Sequence, residues 1–201
     1  MKIKKIVLTL VIFISMGLYP QNATSNLLGK LQAKFDSVES FSIDFIQFNN
    51  AEENLSGVFS FKKENNIKIV TDKLIITSNG VTSWNYNKAE NKVIISNVDE
   101  SDPGIFSINK IVYEFPEECD VSFGNDENEE VIKLTPNGYK YNFDSIWLWL
   151  NDEDLISQVL INNSAMGNIG VTFLNYNLNM DLPDSEFNFV PPEGSKIIDI
   201  R

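Results

Sequence analysis

Alternation of apolar and polar residues, repeated in many short runs, is the feature that most limits what this chain can fold into. Phe41 and Phe45 share one face of an extended run, and Phe59 and Phe61 share a face of the next. Side chains two residues apart lie on the same face of a β-strand, so each run predicts a strand with one buried face. Short turns separate the runs, and Asn79-Gly80 is typical of a tight hairpin. The pattern predicts about eleven strands joined in sequence as hairpins.

Two stretches of the chain have helical rather than strand spacing. Leu27, Leu31 and Phe35 recur at helical intervals within 26–38, and a second apolar stretch covers 103–115. A flat sheet of about eleven strands is rare, so the strands should curl into a barrel or half-barrel. Two helices are too few to cover both faces of this sheet, but they could plug one mouth of the barrel. We therefore expect a mainly β fold whose concave side encloses an apolar space.

The first 23 residues have the layout of a secretory signal peptide. A basic start with Lys2, Lys4 and Lys5 precedes an apolar run, Ile6–Leu18, that is short for a bilayer span. We expect cleavage near Ala23 and export of the remainder, and an uncleaved N-terminal anchor is the alternative. Residues 24–201 have the length of a single domain.

The mature chain would be strongly acidic. Removing three lysines changes the net charge from −12 to −15. This charge repels nucleic-acid phosphates and anionic membrane surfaces, so we expect no nucleic-acid partner. It also keeps an exported protein soluble, and we expect a monomer.

The absence of histidine narrows the chemistry that the chain can perform. Without histidine, Ser-His-Asp and Cys-His catalysis and most zinc sites are excluded. The single cysteine, Cys119, lies in an alternating run and is expected to be a small buried residue. Acidic clusters coincide with turn residues, and none has the spacing of a calcium loop. We expect no metal site and no cofactor, although a pair of glycosidase carboxylates has no sequence spacing and stays open.

Five motifs, spread in order along the chain, resemble those of the LolA family of lipoprotein carriers. The motifs are Phe41-Ser-Ile-Asp-Phe45-Ile-Gln47 (F-x-x-x-F-x-Q), Gly57-Val-Phe-Ser-Phe61-Lys62-Lys63 (a glycine-led strand ending in basic residues), Gly80-Val-Thr-Ser-Trp84-Asn-Tyr86-Asn87 (G-x-x-x-W-x-Y-N), Leu134-Thr-Pro136 (L-T-P), and Phe187-Asn-Phe189-Val-Pro191-Pro192-Glu-Gly194 (F-x-F-x-P-P-x-G).

The resemblance implies a transfer protein and not an enzyme. It implies a periplasmic carrier that binds the acyl chains of triacylated lipoproteins and moves them from the inner to the outer membrane. An inner-membrane ABC transporter would load it, and a LolB-like outer-membrane acceptor would empty it. The resemblance also implies a single unclosed (half) antiparallel β-barrel of about eleven strands, with α-helices as a lid over a hydrophobic cavity. In this barrel 187–190 would be the last long strand, at the open seam, where prolines are tolerated.

The resemblance assigns roles to individual residues. The family keeps a basic residue, usually arginine followed by proline, that hydrogen-bonds the lid helices; here Lys63 matches, followed by Glu64. Ile67 and Ile69 match aromatic positions of the family cavity. Together with the inward-facing residues of the other strands and the second helix, the expected cavity lining is Phe45, Phe59, Ile67, Ile69, Trp84, Tyr86, Ile94, Ile105 and Phe106.

Three other functions remain open from the sequence. One is a LolA-fold protein that senses lipids or lipoproteins and regulates a partner. Another is an exported glycan hydrolase with paired carboxylates. The third is a structural or adhesive β-protein whose interior is filled by its own side chains.

Overall fold

A computed structural model describes residues 27–49, 52–98, 107–126, 129–138, 140–165 and 167–201, with the backbone only for 52–54. Its helical elements are α1 (Leu27–Ser37), a π-helical turn (Lys110–Glu114), α2 (Phe115–Glu118) and a 3-10 turn (Asp184–Phe187). Its strands are β1 (Ser40–Asn49), β2 (Glu52–Lys62), β3 (Asn66–Thr71), β4 (Leu74–Asn79), β5 (Thr82–Asn87), β6 (Lys92–Asn97), β7 (Cys119–Asp126), β8 (Glu129–Pro136), β9 (Ser145–Leu150), β10 (Ile156–Asn162), β11 (Ile169–Leu178) and β12 (Lys196–Asp199).

All twelve strands form one sheet in the order β12-β6-β5-β4-β3-β2-β1-β11-β10-β9-β8-β7. Every neighbouring pair is antiparallel except β12 with β6, which is parallel. The two outermost strands, β7 and β12, are not paired with each other, so the barrel is unclosed. The mainly β, open-barrel architecture expected from the sequence is therefore confirmed.

The strand register separates an inner and an outer face. Directly opposite residues of antiparallel strands point to the same side, so Phe59, Ile69 and Ile76 form one inward row across β2, β3 and β4. On the other half of the sheet, Phe173 and Leu148 point inward as well, and both are buried. One core of buried residues thus extends across the concave side from β3 to β7 in the order of the sheet.

Gly57 is required by the close approach of β2 and β3. It is opposite Phe45 in β1 and Thr71 in β3, so it faces the interior. A Cβ atom at this position would lie 2.2 Å from the carbonyl oxygen of Val70. Any larger residue would push the two strands apart, which explains the glycine between Phe45 and Thr71.

The helices lie against the inner face. α1 buries Leu27, Leu31 and Phe35, the spacing of one stripe on a helix. Of the second predicted helix, 103–115, residues 103–106 lie outside the described part of the chain. From Ile108 the segment is helical and continues to Glu118, three residues beyond the predicted end.

The predicted strand 187–190 is wrong. Phe187 ends a 3-10 turn, and the chain then runs irregularly through the two prolines to β12. The apolar residues at the two ends of this stretch have opposite surroundings: Phe187 is 0 % exposed, whereas Val190 is 83 % exposed. The prolines precede the edge strand β12 and do not end a long one.

A segment that we call the outer strap, residues 179–189, crosses the outer face of the sheet. Its 3-10 turn packs on β3 and β4. Lys62 donates to the Asp184 carboxylate at 2.5 Å, and Lys68 pairs with Glu186. Phe187 is completely buried at the centre of this contact. The outer face of this half of the sheet therefore has its own small apolar cluster, separate from the interior.

We predict that Phe187→Ala lowers the free energy of unfolding by about 3 kcal/mol, because it removes a fully buried aromatic side chain. Val190→Ala, three residues away and mostly exposed, should change it by less than about 0.5 kcal/mol. Denaturant unfolding of both variants measures the difference. Equal, small effects would mean that the outer strap is only loosely attached.

Candidate functional site

The structure brings together most of the described residues that were expected to line a cavity. Phe45, Phe59 and Ile69 are 1 %, 0 % and 4 % exposed and belong to one core. Ile67 is half-buried and packs against the same core. Ile94 lies on the same side, because the inward row continues from β4 through β5 to β6. Phe45, Phe59, Ile67 and Ile69 form an apolar wall on the concave side of the sheet, which we call the inner wall, and Ile94 lies beyond the exposed Asn85.

Trp84 and Tyr86 do not share this wall. They flank Asn85, which is opposite Ile76 and Ile94 and therefore faces inward, so the two aromatic side chains face outward. The Tyr86 ring lies 5.3 Å from the ring of Phe189 in the outer strap. The sequence predicted the opposite orientation because Trp84 and Tyr86 lie on the apolar side of β5, while its other side carries only Ser83, Asn85 and Asn87. The other two expected lining residues, Ile105 and Phe106, lie outside the described residues.

Helical side chains cover the inner wall. We call α1 and residues 107–118 together the lid. Phe35 of α1 meets Phe41 of β1 edge to face, with ring centroids 6.1 Å apart. The buried apolar residues that the lid presents to the core are Leu27, Leu31, Phe35, Ile108, Ile111, Val112 and Phe115. The lid and the sheet therefore share one continuous apolar surface.

A proline explains how the two halves of the lid are joined. Pro116 has no amide hydrogen, so it leaves the carbonyl oxygen of Val112 without the donor that an α-helix would supply. The chain widens into a π-helical turn here, and the Phe115 amide donates to the Lys110 oxygen. The Gln32 side chain of α1 donates to the Val112 oxygen at 3.0 Å and takes the place of the missing donor. Gln32 was not predicted from the sequence: Pro116 indicates that the Val112 oxygen lacks its helical donor, but not which side chain replaces it.

Lys63 holds the C-terminal end of α1. Its Nζ donates to the Asp36 carbonyl oxygen at 3.0 Å and to Glu39 Oε1 at 2.6 Å. Carbonyl groups at the end of a helix lack intrahelical donors, and a cation there also favours the helix dipole. Lys63 thus lies where the expected contact between a basic residue and the lid would be.

Asp36 is also bound by the other half of the lid. The Tyr113 hydroxyl donates to Asp36 Oδ1 at 2.7 Å. Burial and the neighbouring Asp36 carboxylate raise the pKa of Tyr113 to about 12. The hydroxyl therefore stays protonated and able to donate below pH 10, and this contact is lost as the pH rises through about 12.

A pocket of about 250 Å³ lies where the lid meets the turn between β2 and β3. Apolar side chains of the lid and the sheet line one part of it, and Asp36 and Lys63 line another. Pockets that hold drug-sized ligands measure about 300–1,000 Å³, so this space is small for a long acyl chain. A larger ligand would have to displace lid side chains.

Lys62 and Lys68, near the glycine-led strand β2, contact the outer strap and not the lid. Lys62 donates to the Leu182 carbonyl oxygen at 3.0 Å and to Asp184, and Lys68 pairs with Glu186. Both lysines thus contact the outer strap, which lies on the face of the sheet opposite the lid. Among the lysines of β2, β3 and their turn, Lys63 is thus the one that contacts the lid.

Cys119 is buried, and burial raises the pKa of its thiol, so a reactive thiolate is disfavoured. Within the described part of the chain, no cluster of acidic and cysteine side chains has the geometry of a metal site. No helix in the same residues has the length and hydropathy needed to cross a bilayer.

We predict that Gln32→Ala separates the two halves of the lid more readily, because the Val112 carbonyl oxygen loses its donor. The loss of one such hydrogen bond should cost about 1 kcal/mol of stability. Amide hydrogen exchange of residues 110–115 should rise by about five-fold, while that of the inner strand β9 stays unchanged. Gln158→Ala on the outer face of β10 is the control, and an equal rise in both variants would contradict the assignment.

Comparison with known proteins shows what the chain is similar to. It is 24% identical over 210 residues to an outer-membrane lipoprotein carrier protein of Francisella philomiragia, covering 98% of both chains. It is 23% identical to an uncharacterized protein of Methanocaldococcus jannaschii, covering 98% of this chain but only 61% of that protein. A solved structure of an uncharacterized conserved protein from Thermus thermophilus has a similar fold, with a TM-score of 0.51 at 11% identity over 89% of this chain and 99% of the other.

The family relationship rests on a larger match. The model of the outer membrane lipoprotein carrier protein LolA matches residues 36–190, well over half of the 201 residues. This range includes the inner wall, Lys63 and the outer strap. The chain belongs to the LolA family.

Proposed function

We propose that this protein carries lipoproteins by binding their acyl chains against the inner wall of the sheet, beneath the lid. The observation that supports this most directly is the construction of the core. One side of the core is the concave sheet, and the other is a pair of short helical segments whose described polar links to the rest of the chain and to each other are made by a few side chains. The lid can therefore leave the wall without breaking the sheet.

Acyl chains and lid side chains can each cover this wall, because both are apolar. Burial of an apolar side chain contributes about 1.5–3 kcal/mol, and burial of an acyl methylene group contributes about 0.8 kcal/mol. About two to four methylene groups thus match one lid side chain. Because apolar contacts are exchanged for apolar contacts, the net free energy of loading is small, and binding stays reversible.

The proposed cargo is a triacylated lipoprotein, loaded by an inner-membrane ABC transporter and delivered to an outer-membrane acceptor. Two observations support this assignment: membership of the LolA family, and the near full-length similarity to a relative named as a lipoprotein carrier. The corresponding location is the periplasm. The protein acts by binding and release and performs no chemical reaction.

We predict that a photo-crosslinking amino acid at Ile67 captures lipoprotein, while one at Trp84 does not. Both side chains are half-buried, but Ile67 faces the inner wall and Trp84 faces outward. Capture is measured after irradiation of cells that synthesise each variant, with an antibody against a labelled lipoprotein. Stronger capture at Trp84 than at Ile67 would place the binding surface on the wrong side of the sheet.

We predict that Lys63→Leu slows the release of cargo by about ten-fold. The lost contacts are one hydrogen bond to the helix end, worth about 1 kcal/mol, and a solvent-exposed ion pair of at most about 1 kcal/mol. Loading should persist, because the inner wall is unchanged. Without these contacts, closure of the empty lid offsets less of the lost acyl burial.

The measurement is transfer of a labelled lipoprotein from the purified carrier to acceptor membranes. Lys63→Arg should keep the parental rate, since arginine can reach both oxygens. Lys73→Leu removes an exposed lysine from the next turn and is the control. If Lys63→Leu and Lys73→Leu release cargo equally fast, Lys63 has no role in the cycle.

A further inference from the structure

The segment that links the lid to the sheet also touches the outer strap. We call residues 38–40, between α1 and the body of β1, the junction. The Glu39 amide donates to Asn179 Oδ1 at 2.9 Å, and the Asn179 amide donates to the Ser40 oxygen at 2.6 Å. The Ser40 hydroxyl donates to the Met180 oxygen at 2.6 Å. The junction is therefore bound to the first two residues of the outer strap.

The same junction is bound to the residue that holds the lid. The backbone amide of Lys63 donates to the Glu39 carbonyl oxygen at 2.9 Å, and its side chain binds the Glu39 carboxylate. Val38 is buried, so α1 cannot tilt without moving Glu39. Tilting α1 away from the sheet would strain the Lys63 and Asn179 contacts of Glu39 together.

Asn179 is suited to this position. Its φ is +51°, in the left-handed region that asparagine adopts more readily than most residues. The chain bends here, directly after β11, and the Asn179 side-chain oxygen accepts the Glu39 amide of the junction. The strap therefore begins at a residue whose backbone and side chain both contact the lid linker.

Two adjacent lysines connect the lid and the strap through a single strand end. Successive residues of a strand point to opposite faces. Lys62 accordingly reaches outward to Leu182 and Asp184 of the strap, and Lys63 reaches the end of α1. A shift of this strand end would alter both contacts.

We propose that the junction couples the lid to the outer strap, so that opening the lid loosens the strap on the opposite face of the sheet. This inference rests on the proposed function only in taking lid opening as the loading step. Its consequence is that the loaded and the empty carrier differ on their outer surface as well as at the acyl site. A partner that contacts residues 179–189 could then distinguish the two states without touching the cargo.

The test is amide hydrogen exchange of residues 24–201, first without any lipid. Lys63→Leu should raise exchange of the lid by about ten-fold and also raise exchange of residues 180–188 by several-fold. Asn179→Gly keeps the left-handed backbone but removes the acceptor for Glu39. When it is combined with Lys63→Leu, the strap should respond less to the Lys63 change than it does in the single variant.

Asn175→Gly is the matched control. Asn175 also has a positive φ, of +56°, and lies in β11, but its amide donates to Asp44 at 2.7 Å and not to the junction. The combination of Asn175→Gly with Lys63→Leu should leave the response of the strap intact. A strap that stays fully protected while the lid exchanges faster would overturn the proposal, as would equal effects of the two asparagine changes.

A second arm adds a synthetic triacylated lipopeptide to the parental protein. Exchange of the lid and of the strap should then rise together. A lipopeptide that binds and loosens only the lid would overturn the coupling. A lipopeptide that does not bind would count against the proposed function, while the variants measured without lipid would still decide whether the lid and the strap are coupled.

Discussion

The apolar contact between the concave sheet and the lid is the interaction on which the rest of the structure depends. A twelve-stranded sheet that does not close leaves its inner face uncovered, and the rows through Phe59 and Leu148 are too apolar to face water. α1 and residues 107–118 supply the missing cover. Because hydrophobic contact has little directionality, any cover of similar area can take their place. The feature that makes the core stable is thus also the one on which the proposed acyl binding depends.

Polar contacts, and not apolar ones, must then determine whether the lid or an acyl chain covers the concave face of the sheet. If acyl chains replace lid side chains, as we propose, the apolar terms largely cancel, and contacts of about 1 kcal/mol become decisive. The lid has two solvent-exposed ion pairs, Lys34 with Glu153 and Glu118 with Lys140. Three further described contacts are Gln32 with the Val112 carbonyl, Tyr113 with Asp36, and Lys63 with the end of α1. Each has a local cause: a proline that removes a donor, a carboxylate at a helix end, and the unpaired carbonyl groups of a final turn. Lysine suffices at position 63, because its ammonium group reaches both the Asp36 and the Glu39 oxygens.

The sequence predicted the fold class because period-two alternation survives along the whole chain, and it predicted the interior of β1 to β3 because those strands are apolar on one side. Trp84 and Tyr86 were misplaced because the outer strap covers their side of β5, so apolar residues there no longer mark the interior. The strand expected at 187–190 failed for the same reason: Phe187 is buried by the outer face of β3 and β4, without a strand partner. Gln32 could not be identified, since its partner is a carbonyl 80 residues away.

The two faces of the sheet are less independent than a β-sheet normally allows. Side chains on opposite faces of a strand seldom affect each other's position, because the strand is tightly packed and its hydrogen bonds resist rotation. A movement on one face reaches the other only where a strand begins or ends and its backbone is bound by neighbouring segments. Glu39 and Ser40 are such a point: their backbone groups bind the turn after β2 along one edge and Asn179 along the other, and the Ser40 hydroxyl binds Met180 of the outer strap. With the lid on one face and the outer strap on the other, the proposed carrier needs only this one shared linker to expose its state on both surfaces.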